Sequence, residues 1–560
     1  MQFIIKTSLS LFLLFLSLDS ISQSTYLPQN TKHQVLLDRL EIKMQRNADL
    51  NLSTAKPLSR KIAIRAAMEA DSVNQSNPEW LSNVDQYNLN SLYMNNPEWY
   101  TGDQSIFASK HPLFKTFYKS KANFFEVKEK DFFLVLNPVF QQQISKEKDN
   151  DETVFLNSKG LNFRGMIAER IGFSAYITDN QERGPAFMMQ QVKSNFAVPG
   201  VGYFKTFKTT GVDYFDARGT IHFTAAKYLD FSFGYDKNFI GNGYRSLLLS
   251  DFSNSYLFLK INTRVWKLNY QNIFMELLPQ FVQTNDELRD KKYAALHHLS
   301  INATRWLNLG IFESVVFGRA NHFEFSYLNP IMFLRVAEHQ NGSADNAIVG
   351  FDAKANIAKT LQVYSQLTID ELKLSEATGG EGWWGNKFGV QFGAKYIDAF
   401  KVKNLDLQAE YNVVRPYTYS HSDSVANYTH YNQPLAHPFG ANFREVIGII
   451  RYQPAPRWTA SARLIMWQKG IDSGNVNYGG NIFKSYVTRP YDYGFKIPAG
   501  VKSTGVNAQF LLSFEPKENV YLDAAILVRR YKADAVNISS NTNMFTLGFR
   551  MNVFRREYDY

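Results

Sequence analysis

The sequence predicts an all-β protein, a transmembrane antiparallel β-barrel of about 18 strands with a small, partly helical N-terminal periplasmic module. Three observations predict it. Apolar and polar residues alternate along many segments of about ten residues, the length of a tilted membrane-crossing strand. Tyr, Phe and Trp recur at the ends of these segments, and tight connections alternate with long ones. A soluble sheet accounts for the first observation but not for the other two.

The composition excludes several classes of protein. Cysteine is absent, which rules out disulfides, thiolate metal sites, a cysteine nucleophile and a lipidated cysteine anchor. Charged residues make up 20% and aromatic residues 15% of the chain, which argues against extensive disorder. The mean hydropathy of −0.30 argues against a bundle of transmembrane helices. No basic tract is dense enough for nucleic acid.

Residues 1–22 have the pattern of a cleavable secretory signal peptide. Lys6 precedes an apolar run at 9–18, and the small residues Ser20 and Ser22 follow. The alternative, a short membrane anchor, is disfavoured because the run is well below the roughly 20 residues needed to cross a bilayer. We place cleavage before Gln23 and expect an exported protein.

Residues 23–128 are expected to form the periplasmic module. The stretch 35–40 is partly helical in pattern, and 60–70 is a good helical stretch with Ser59 available as its N-cap. The tetrapeptide Asn-Pro-Glu-Trp occurs at 77–80 and at 96–99, which indicates a repeated docking element or, more simply, two similar turns. The module would cap or plug the barrel, or act as a flexible tether.

Residues 129–560 are expected to form the barrel. Along 405–413, Leu, Leu, Ala, Tyr and Val alternate with Asp, Gln, Glu and Asn, and 229–236, 388–396 and 506–514 show the same alternation. Successive side chains of a strand point to opposite faces, so each segment has one apolar and one polar face. A barrel would turn the apolar face to lipid and the polar face to its lumen.

The connections that can be assigned from the sequence are either tight or long. In chain order they are 320–345 (long), 357–360 (tight), 398–403 (tight), 415–442 (long), 453–456 (tight), 468–503 (long), 515–519 (tight) and 530–543 (long), and from 398 onward the two kinds alternate. Outer-membrane barrels have short periplasmic turns and long extracellular loops, and an even strand number puts both barrel ends on the periplasmic side. The segment 546–553 resembles the signal that directs barrels to outer-membrane assembly.

The sequence contains no catalytic signature. We find no H-E-x-x-H, no G-x-S-x-G and no P-loop lysine, so we expect no enzyme and no cofactor. The glycines of 241–246 are a weak phosphate cradle because no helix crossover surrounds them. His430 and His437, with Asp423 and Glu445 nearby, leave a metal site as a minor alternative, and we expect no metal.

Aromatic residues in the long loops predict a sugar-binding surface. Trp383 and Trp384 lie in one loop, and Tyr431 and Asn432 lie in the next. Flat rings stack on sugar C–H faces while polar neighbours bond the hydroxyls, although such rings also serve as loop packing or as a membrane girdle. The net charge of +10 would attract anionic lipopolysaccharide or acidic glycans, but it is also ordinary for an envelope protein.

Several short stretches resemble a known family. They are LDRL at 37–40, KPLSRK at 56–61, GNGYRSLLLSD at 241–251, SYLNP at 326–330, IDE at 369–371 and HYNQPLAHPFGANFRE at 430–445. Together they resemble the Wzi-like capsule-assembly barrels, and more closely the RemB-like gliding-motility members of that group. The resemblance covers most of the mature chain. The N-terminal module departs from it, since the module is larger than a capsule lectin would need.

The resemblance implies an eighteen-stranded barrel in the outer membrane of a Gram-negative bacterium. It implies non-catalytic binding of capsular polysaccharide or, in RemB-like members, a role in gliding. The partners it implies are outer-membrane lipid and lipopolysaccharide, surface or capsular polysaccharide and gliding-machinery envelope proteins. The alternative is a diffusion channel or transporter. The residues carried over as loop-locking first and glycan-binding second are Tyr244, Arg245, Asp251, Asn329, Glu371, His437, Asn442 and Arg444.

Overall fold

The computed structural model describes residues 24–282, 288–553 and 555–560, so the predicted signal peptide lies outside the described residues. An antiparallel barrel of 18 strands closes within them, which confirms the predicted fold class and strand number. The strands follow one another around the barrel in chain order, and the eighteenth pairs with the first. In these described ranges, no helix is long and apolar enough to cross a membrane.

The barrel strands are numbered here in chain order. They are β1 (Phe132–Glu147), β2 (Val154–Ile167), β3 (Ile171–Arg183), β4 (Gly211–Ala226), β5 (Leu229–Asp236), β6 (Tyr256–Val265), β7 (Leu268–Leu277), β8 (Lys292–Asn302), β9 (Leu307–Phe317), β10 (Asn346–Ile357), β11 (Leu361–Glu371), β12 (Lys387–Tyr396), β13 (Leu405–Val414), β14 (Phe443–Ala455), β15 (Trp458–Ile471), β16 (Val501–Lys517), β17 (Val520–Ala533) and β18 (Ile538–Met551). Most are long enough for a tilted membrane crossing.

The two faces of each strand differ as the alternation predicts. On β13, Tyr411 is 39% exposed on the outer face, whereas Gln408, Glu410 and Asn412 are buried on the inner face. On β16, Phe510 is 47% exposed outside, whereas Asn507, Gln509 and Ser513 are buried on the inner face. The barrel therefore presents an apolar band to lipid and encloses polar side chains.

Connections of unequal length lie at the two rims. Short turns such as 227–228, 266–267 and 518–519 join strands at one rim, and long loops such as 415–442 and 472–500 leave the other. We call these the short-turn rim and the long-loop rim, and in outer-membrane barrels the corresponding rims are periplasmic and extracellular.

One predicted long loop, 530–543, is wrong. Strands β17 and β18 continue to Ala533 and from Ile538, so only 534–537 connect them. Tyr531 pairs with Ser540 and Ala533 with Ile538, so the hairpin extends its own ladder above the apolar band and satisfies its backbone hydrogen bonds.

Four helices form the N-terminal module. They are α1 (Lys32–Met44), α2 (Ala48–Asn51), α3 (Arg60–Ser76) and α4 (Asn83–Met94). Leu36, Leu40, Ala63 and Leu92 share one buried cluster at their centre. Both predicted helical stretches lie within helices, α1 and α3.

The predicted capping by Ser59 is wrong. Ser59 occupies the N-cap position of α3 but makes no side-chain capping hydrogen bond. The Lys61 N–H in the first turn donates instead to Ser24 Oγ at 2.9 Å. A neighbouring segment therefore satisfies a donor that a capping side chain would otherwise take.

The two Asn-Pro-Glu-Trp tetrapeptides form similar turns after α3 and α4. The Trp80 N–H donates to Asn77 O, and the Trp99 N–H donates to Asn96 O, both at 3.1 Å. Both tryptophans pack against the module core. The simpler interpretation, two similar turns, is therefore right.

Ion pairs hold the module against the short-turn rim. Arg39 of α1 lies 2.8 Å from Asp398, and Lys32 lies 2.6 Å from Glu515. Three further pairs are Lys395–Asp38 at 2.7 Å, Lys354–Glu41 at 2.7 Å and Arg164–Glu98 at 3.0 Å. The module is thus a docked plug rather than a flexible tether.

Three more helices lie in long loops: α5 (Ala186–Asn195), α6 (Leu334–Gln340) and α7 (Leu374–Gly379). The loop that carries α6, residues 318–345, is here called the exterior flap because it folds back over the outer wall. The Tyr270 hydroxyl donates to Pro330 O at 2.6 Å, and the Leu334 N–H donates to Glu313 Oε2 at 3.0 Å. These bonds satisfy irregular backbone that lipid would leave unpaired.

Candidate functional site

Loop 237–255 turns inward and fills part of the lumen. Its residues Phe239 and Ile240 pair with Lys56 and Ala55 of the module in a two-stranded sheet. The loop therefore reaches across the lumen to the module, and the two-stranded sheet joins the loop to the module. We call residues 237–255 the inward loop.

A buried carboxylate on the barrel wall fixes the inward loop. Glu410 of β13 accepts hydrogen bonds from the N–H groups of Tyr244 and Arg245, at 2.7 and 3.1 Å. A Cβ at Gly243 would lie 2.3 Å from Glu410 Oε2, so this close approach requires glycine. The glycine-rich stretch binds a carboxylate of its own chain, in place of the phosphate considered from the sequence.

The side chains of Tyr244 and Arg245 bind residues 555–560, which follow β18 into the lumen and are here called the lumenal segment. Arg245 Nη1 lies 3.2 Å from Asp559 Oδ2, and the Tyr244 hydroxyl also bonds Asp559. Arg463 of β15 donates to the Tyr244 hydroxyl at 2.6 Å. Burial raises the pKa of Asp559, but Arg245 and Arg463 lower it more, so the net pKa lies below its usual value.

His437 joins loop 415–442 to the same wall. Its Nε2 lies 2.7 Å from Glu445 Oε2, and its Nδ1 accepts the Phe439 N–H at 3.1 Å. Nδ1 is therefore the acceptor and Nε2 carries the proton. Burial lowers the pKa of His437 despite the opposing effect of Glu445, which favours the neutral ring.

The two histidines considered for a metal lie apart. His430 Nδ1 accepts the Leu278 N–H at 3.0 Å, and its Nε2 lies 3.1 Å from Ser255 O. Within the part of the chain that the structure describes, no group of three or more His, Cys, Asp or Glu side chains is arranged to hold a metal ion.

Asn432 and Tyr431 bring three loops of the long-loop rim together. Asn432 Nδ2 donates to Asn195 O and to Phe281 O, both at 2.8 Å, and its Oδ1 accepts the Phe281 N–H at 3.0 Å. The Tyr431 ring meets the Phe281 ring edge to face, with centroids 5.0 Å apart. Both residues have positive φ, a conformation that asparagine tolerates better than most residues.

Asn442 joins loop 415–442 to loop 472–500. Its Nδ2 donates to Ala499 O at 2.9 Å and to Tyr478 O at 3.2 Å, and its Oδ1 accepts the Ala499 N–H at 2.8 Å. Asn442 is fully buried and has a φ of 61°. The hydrogen bonds of Asn442 fit the loop-locking role expected for it, and those of Asn432, expected as a sugar-binding residue, hold loops together as well.

The predicted tryptophans belong to an aromatic cluster at the long-loop rim. We call it the aromatic canopy, and it consists of Trp383, Trp384, Tyr417, Tyr478, Tyr486, Tyr491 and Phe495. The Trp384 ring lies 4.9 Å from Tyr486, centroid to centroid, and the Arg489 guanidinium lies 4.0 Å over it. Trp383 and Trp384 are half-buried, and Tyr491 is 45% exposed. The canopy thus combines packed and open rings.

Two carried-over residues do not lock loops in the way expected. Arg444 lies exposed on the outer face of β14, because its neighbour Glu445 takes the inward position and side chains alternate. Glu371 is half exposed, and its carboxylate lies 3.5 Å from Lys387. Asp370, which the sequence analysis missed, lies 2.8 Å from Lys387 and accepts the Tyr419 N–H at 2.7 Å.

Asp251 contacts the N-terminal module, since its Oδ2 accepts a hydrogen bond from Asn30 Nδ2 at 3.4 Å, whereas Asn329 contacts its own loop. Asp251 lies in the inward loop, where its carbonyl accepts from Lys237 Nζ at 3.0 Å. Asn329 lies exposed in the exterior flap, where its Oδ1 accepts the Ile331 N–H at 3.1 Å. Asn329 is thus outside the barrel wall and far from the lumen-facing residues of the inward loop.

Sequence reasoning also missed Glu410, Arg463 and Asp559. Glu410 stands at an inward position of an alternating strand, so the sequence predicts that its side chain faces the lumen. The sequence does not predict its partner Arg245, which lies 165 residues away in the chain. Arg463 and Asp559 both bond the Tyr244 hydroxyl only because the barrel closes around the inward loop and the lumenal segment.

Comparisons with known proteins identify solved structures that have a similar architecture. Neither a family model nor a curated protein matches the chain. A solved structure of Wzi from Escherichia coli, whose title describes an outer-membrane, carbohydrate-binding β-barrel involved in group 1 capsule assembly, matches with a TM-score of 0.56 and 14% identity. The match covers 93% of this chain and 98% of Wzi. The chain has the Wzi barrel fold.

Two other solved structures are similar over less of the chain. OprD from Pseudomonas aeruginosa has 12% identity and a TM-score of 0.41, and the match covers 78% of this chain and 97% of OprD. OccK8 (OprE) of the same organism has 10% identity and a TM-score of 0.43, with 75% and 97% covered. The match to Wzi confirms the predicted resemblance to Wzi-like barrels for the fold, and the RemB-like part of it stays a prediction.

Proposed function

We propose that this protein is a non-catalytic outer-membrane barrel that binds a surface polysaccharide at its long-loop rim and so supports capsule attachment, gliding motility or both. The aromatic canopy carries this proposal. It places half-buried and exposed rings next to charged side chains at the rim assigned to the cell exterior. Rings that stack on sugar faces, with a few polar groups for the hydroxyls, are the elements of a saccharide site.

The charged groups around the canopy are suited to hydroxyl recognition. Arg489 Nε lies 2.6 Å from Asp492 Oδ1, and the Asp492 carboxylate is 54% exposed. Lys373 Nζ lies 5.7 Å from the Trp383 ring centroid and is 59% exposed. Donors and acceptors therefore border the rings while they remain open to solvent.

Hydrogen bonds from side chains to backbone carbonyls hold the canopy in place. The Tyr417 hydroxyl donates to Asn477 O at 2.6 Å, and Asn442 links the canopy loops to each other. Arg415 donates to Trp383 O at 3.0 Å. A surface fixed in this way loses little conformational entropy on binding, which favours affinity for a weakly interacting ligand such as a saccharide.

The filled lumen favours a binding protein over the alternative, a diffusion channel or transporter. The inward loop, loop 415–442 and the lumenal segment meet in the lumen, and the helical module lies across the short-turn rim. The carbohydrate-binding Wzi barrel, which has the same fold, supports the same choice.

A pull-down with the native surface polysaccharide tests the proposal. We expect purified wild-type barrel to bind, and Trp383→Ala/Trp384→Ala to lose most of the binding, since each ring contributes stacking area. Trp266→Ala is the matched control, because Trp266 is a 77% exposed tryptophan of the short-turn rim. Equal binding by the double variant and the wild type would refute the canopy as the site.

A deletion strain separates the two cellular roles. Scoring capsule retention and colony spreading side by side in the deletion strain, and again after complementation with Trp383→Ala/Trp384→Ala, shows which process needs the canopy. A deletion strain that retains its capsule and spreads normally would overturn both roles.

A further inference from the structure

The lumenal segment occupies a prepared pocket in the barrel. After β18 ends at the short-turn rim, the chain re-enters the lumen, and Tyr558, Asp559 and Tyr560 are all buried. Tyr560 reaches Phe187 of α5 and Phe252, with ring centroids 6.3 and 5.6 Å away. Since α5 belongs to a loop of the long-loop rim, the segment extends through the lumen towards the cell exterior.

The groups that bind Asp559 belong to the barrel and the inward loop. The Arg245 backbone is held by Glu410 at 3.1 Å, and Arg463 projects from β15 and donates to Gln509 at 2.6 Å. Tyr244 stands between the two guanidiniums, 5.0 Å from one and 5.2 Å from the other. We call Tyr244, Arg245 and Arg463 the arginine cradle. Arg463 Nη2 also donates to Glu557 Oε2 of the lumenal segment at 2.7 Å, so two carboxylates of that segment enter the arginine cradle.

The arginine cradle needs a carboxylate. Besides Asp559, Arg245 approaches Glu445, whose Oε1 is 3.7 Å from Arg245 Nε, but Glu445 already binds His437 at 2.7 Å. Arg245 Nε and Arg463 Nε are buried atoms without a hydrogen-bond partner. Two buried guanidiniums therefore converge here, Arg245 paired with Asp559 and Arg463 with Glu557, and a buried charge without its partner is strongly unfavourable.

The remaining walls of the pocket are aromatic. The Tyr558 hydroxyl donates to Glu182 at 2.7 Å, while Phe187 and Phe252 contact Tyr560. The Tyr560 hydroxyl is buried without a partner. A paired arginine site beside flat rings is the arrangement that recognises a sugar ring bearing a carboxylate.

We propose that the arginine cradle is a binding site for an acidic saccharide, a sugar with a carboxylate group, and that the lumenal segment occupies this site as an internal competitor through Asp559 and Glu557. The inference rests on the proposed function in taking the ligand to be a saccharide. It adds a second site, inside the barrel, and defines its ligand by charge. Release of the segment would open the pocket from the long-loop rim.

Calorimetry on the full chain in detergent tests the proposal, with tri-galacturonic acid as the acidic probe and maltotriose as the neutral one. Glu557→Gln/Asp559→Asn removes both competing carboxylates, so we expect it to bind tri-galacturonic acid at least about tenfold more tightly than wild type, as expected for a freed charge-assisted site. Adding Arg463→Gln to this double variant should abolish that gain. Affinity for maltotriose should not change among the three.

Each outcome decides the matter. Equal affinity of wild type and Glu557→Gln/Asp559→Asn for tri-galacturonic acid overturns the proposal, and so does a gain that survives Arg463→Gln. If the double variant does not yield folded barrel, Tyr558→Phe, which removes the bond to Glu182 and loosens the segment, should raise the affinity in the same direction. The polysaccharide pull-down reports on the canopy and this calorimetry on the lumen, so the two proposals can fail separately.

Discussion

Asn442 binds both backbone polar groups of Ala499: Oδ1 accepts the Ala499 N–H at 2.8 Å, and Nδ2 donates to Ala499 O at 2.9 Å. The side chain thus makes the same pair of hydrogen bonds that a backbone residue makes in a β-ladder, and it joins two loops that are not paired as strands. Because Asn442 is fully buried, water does not offer these groups a substitute.

Asn442→Ala should destabilise the long-loop rim by about 2–4 kcal/mol. The variant leaves the Ala499 N–H and C=O without partners and places alanine at a positive φ. The temperature at which the folded band disappears in SDS gels measures the loss, and proteolysis of residues 472–500 locates it. Asn541→Ala, at an exposed position of the β17–β18 hairpin, should change neither. An unchanged protease pattern in Asn442→Ala would show that the loops do not depend on this contact.

Arg39→Gln should detach the helical module from the barrel. Arg39 pairs with Asp85, Asp398 and Asp406, all largely buried, and removal of one partner from a buried pair costs about 3–5 kcal/mol. Trypsin added from the short-turn side should then cleave residues 24–105 while the barrel stays intact. Arg65→Gln is the control, because Arg65 is 61% exposed in its pair with Asp49 and such pairs contribute about 0–1 kcal/mol. Equal trypsin resistance of Arg39→Gln and wild type would contradict the docking role.

The module should lose stability in mild acid because of His33. Burial, with the nearby Lys32 and Arg60, lowers the pKa of His33 to about 3, so the folded module holds it neutral while the unfolded chain protonates it below about pH 6.5. The unfolded state therefore binds more protons between about pH 6.5 and 3, and stability falls as pH decreases through that window, by up to about 1.4 kcal/mol per unit. Protease resistance of the module against pH measures this, and His33→Gln should flatten the curve above pH 5. A His33→Gln curve that follows the wild type would assign the acid loss to other groups.

The intact barrel should conduct poorly in planar bilayers. The inward loop is fixed in the lumen by Glu410 and by its pairing with Lys56 of the module, which obstructs an aqueous path. Replacement of 241–249 by a short Gly-Ser linker should raise the single-channel conductance, whereas the same replacement at 321–341 in the exterior flap should not. Large stable conductance in the wild type would restore the channel interpretation.

Much of the fold follows from local pattern. Alternation such as that of 405–413 sets which side chains face lipid, since a strand has period two, and tight connections such as 357–360 mark one rim. The hairpin at 534–537 was mispredicted because its polar residues above the membrane have the composition of a loop, although their backbones pair as a β-ladder. The exterior flap was not foreseen, since nothing local distinguishes a loop over the outer wall from one over the lumen.

The site was predictable only in part. Tyr244, Arg245 and His437 were singled out, and they do lie in the lumen network, but Glu410, Arg463 and Asp559, which bind Tyr244 and Arg245, were not. Arg444 was expected to lock a loop, but side chains alternate along β14, so Glu445 faces inward and Arg444 faces outward. Sequence separation hides such partners, since contacts across a lumen follow from closure and not from spacing.

The sequence by itself determined that this chain would form a closed cylinder of strands with an apolar exterior, unequal rims and a helical module, because strand period, strand length and turn residues are local properties of the backbone. Only the tertiary structure decided what fills the cylinder. The inward loop and the lumenal segment occupy the lumen, and the module lies across the short-turn rim, because buried charges such as Arg245 and Arg39 require partners, and those partners come from whichever segments barrel closure brings together.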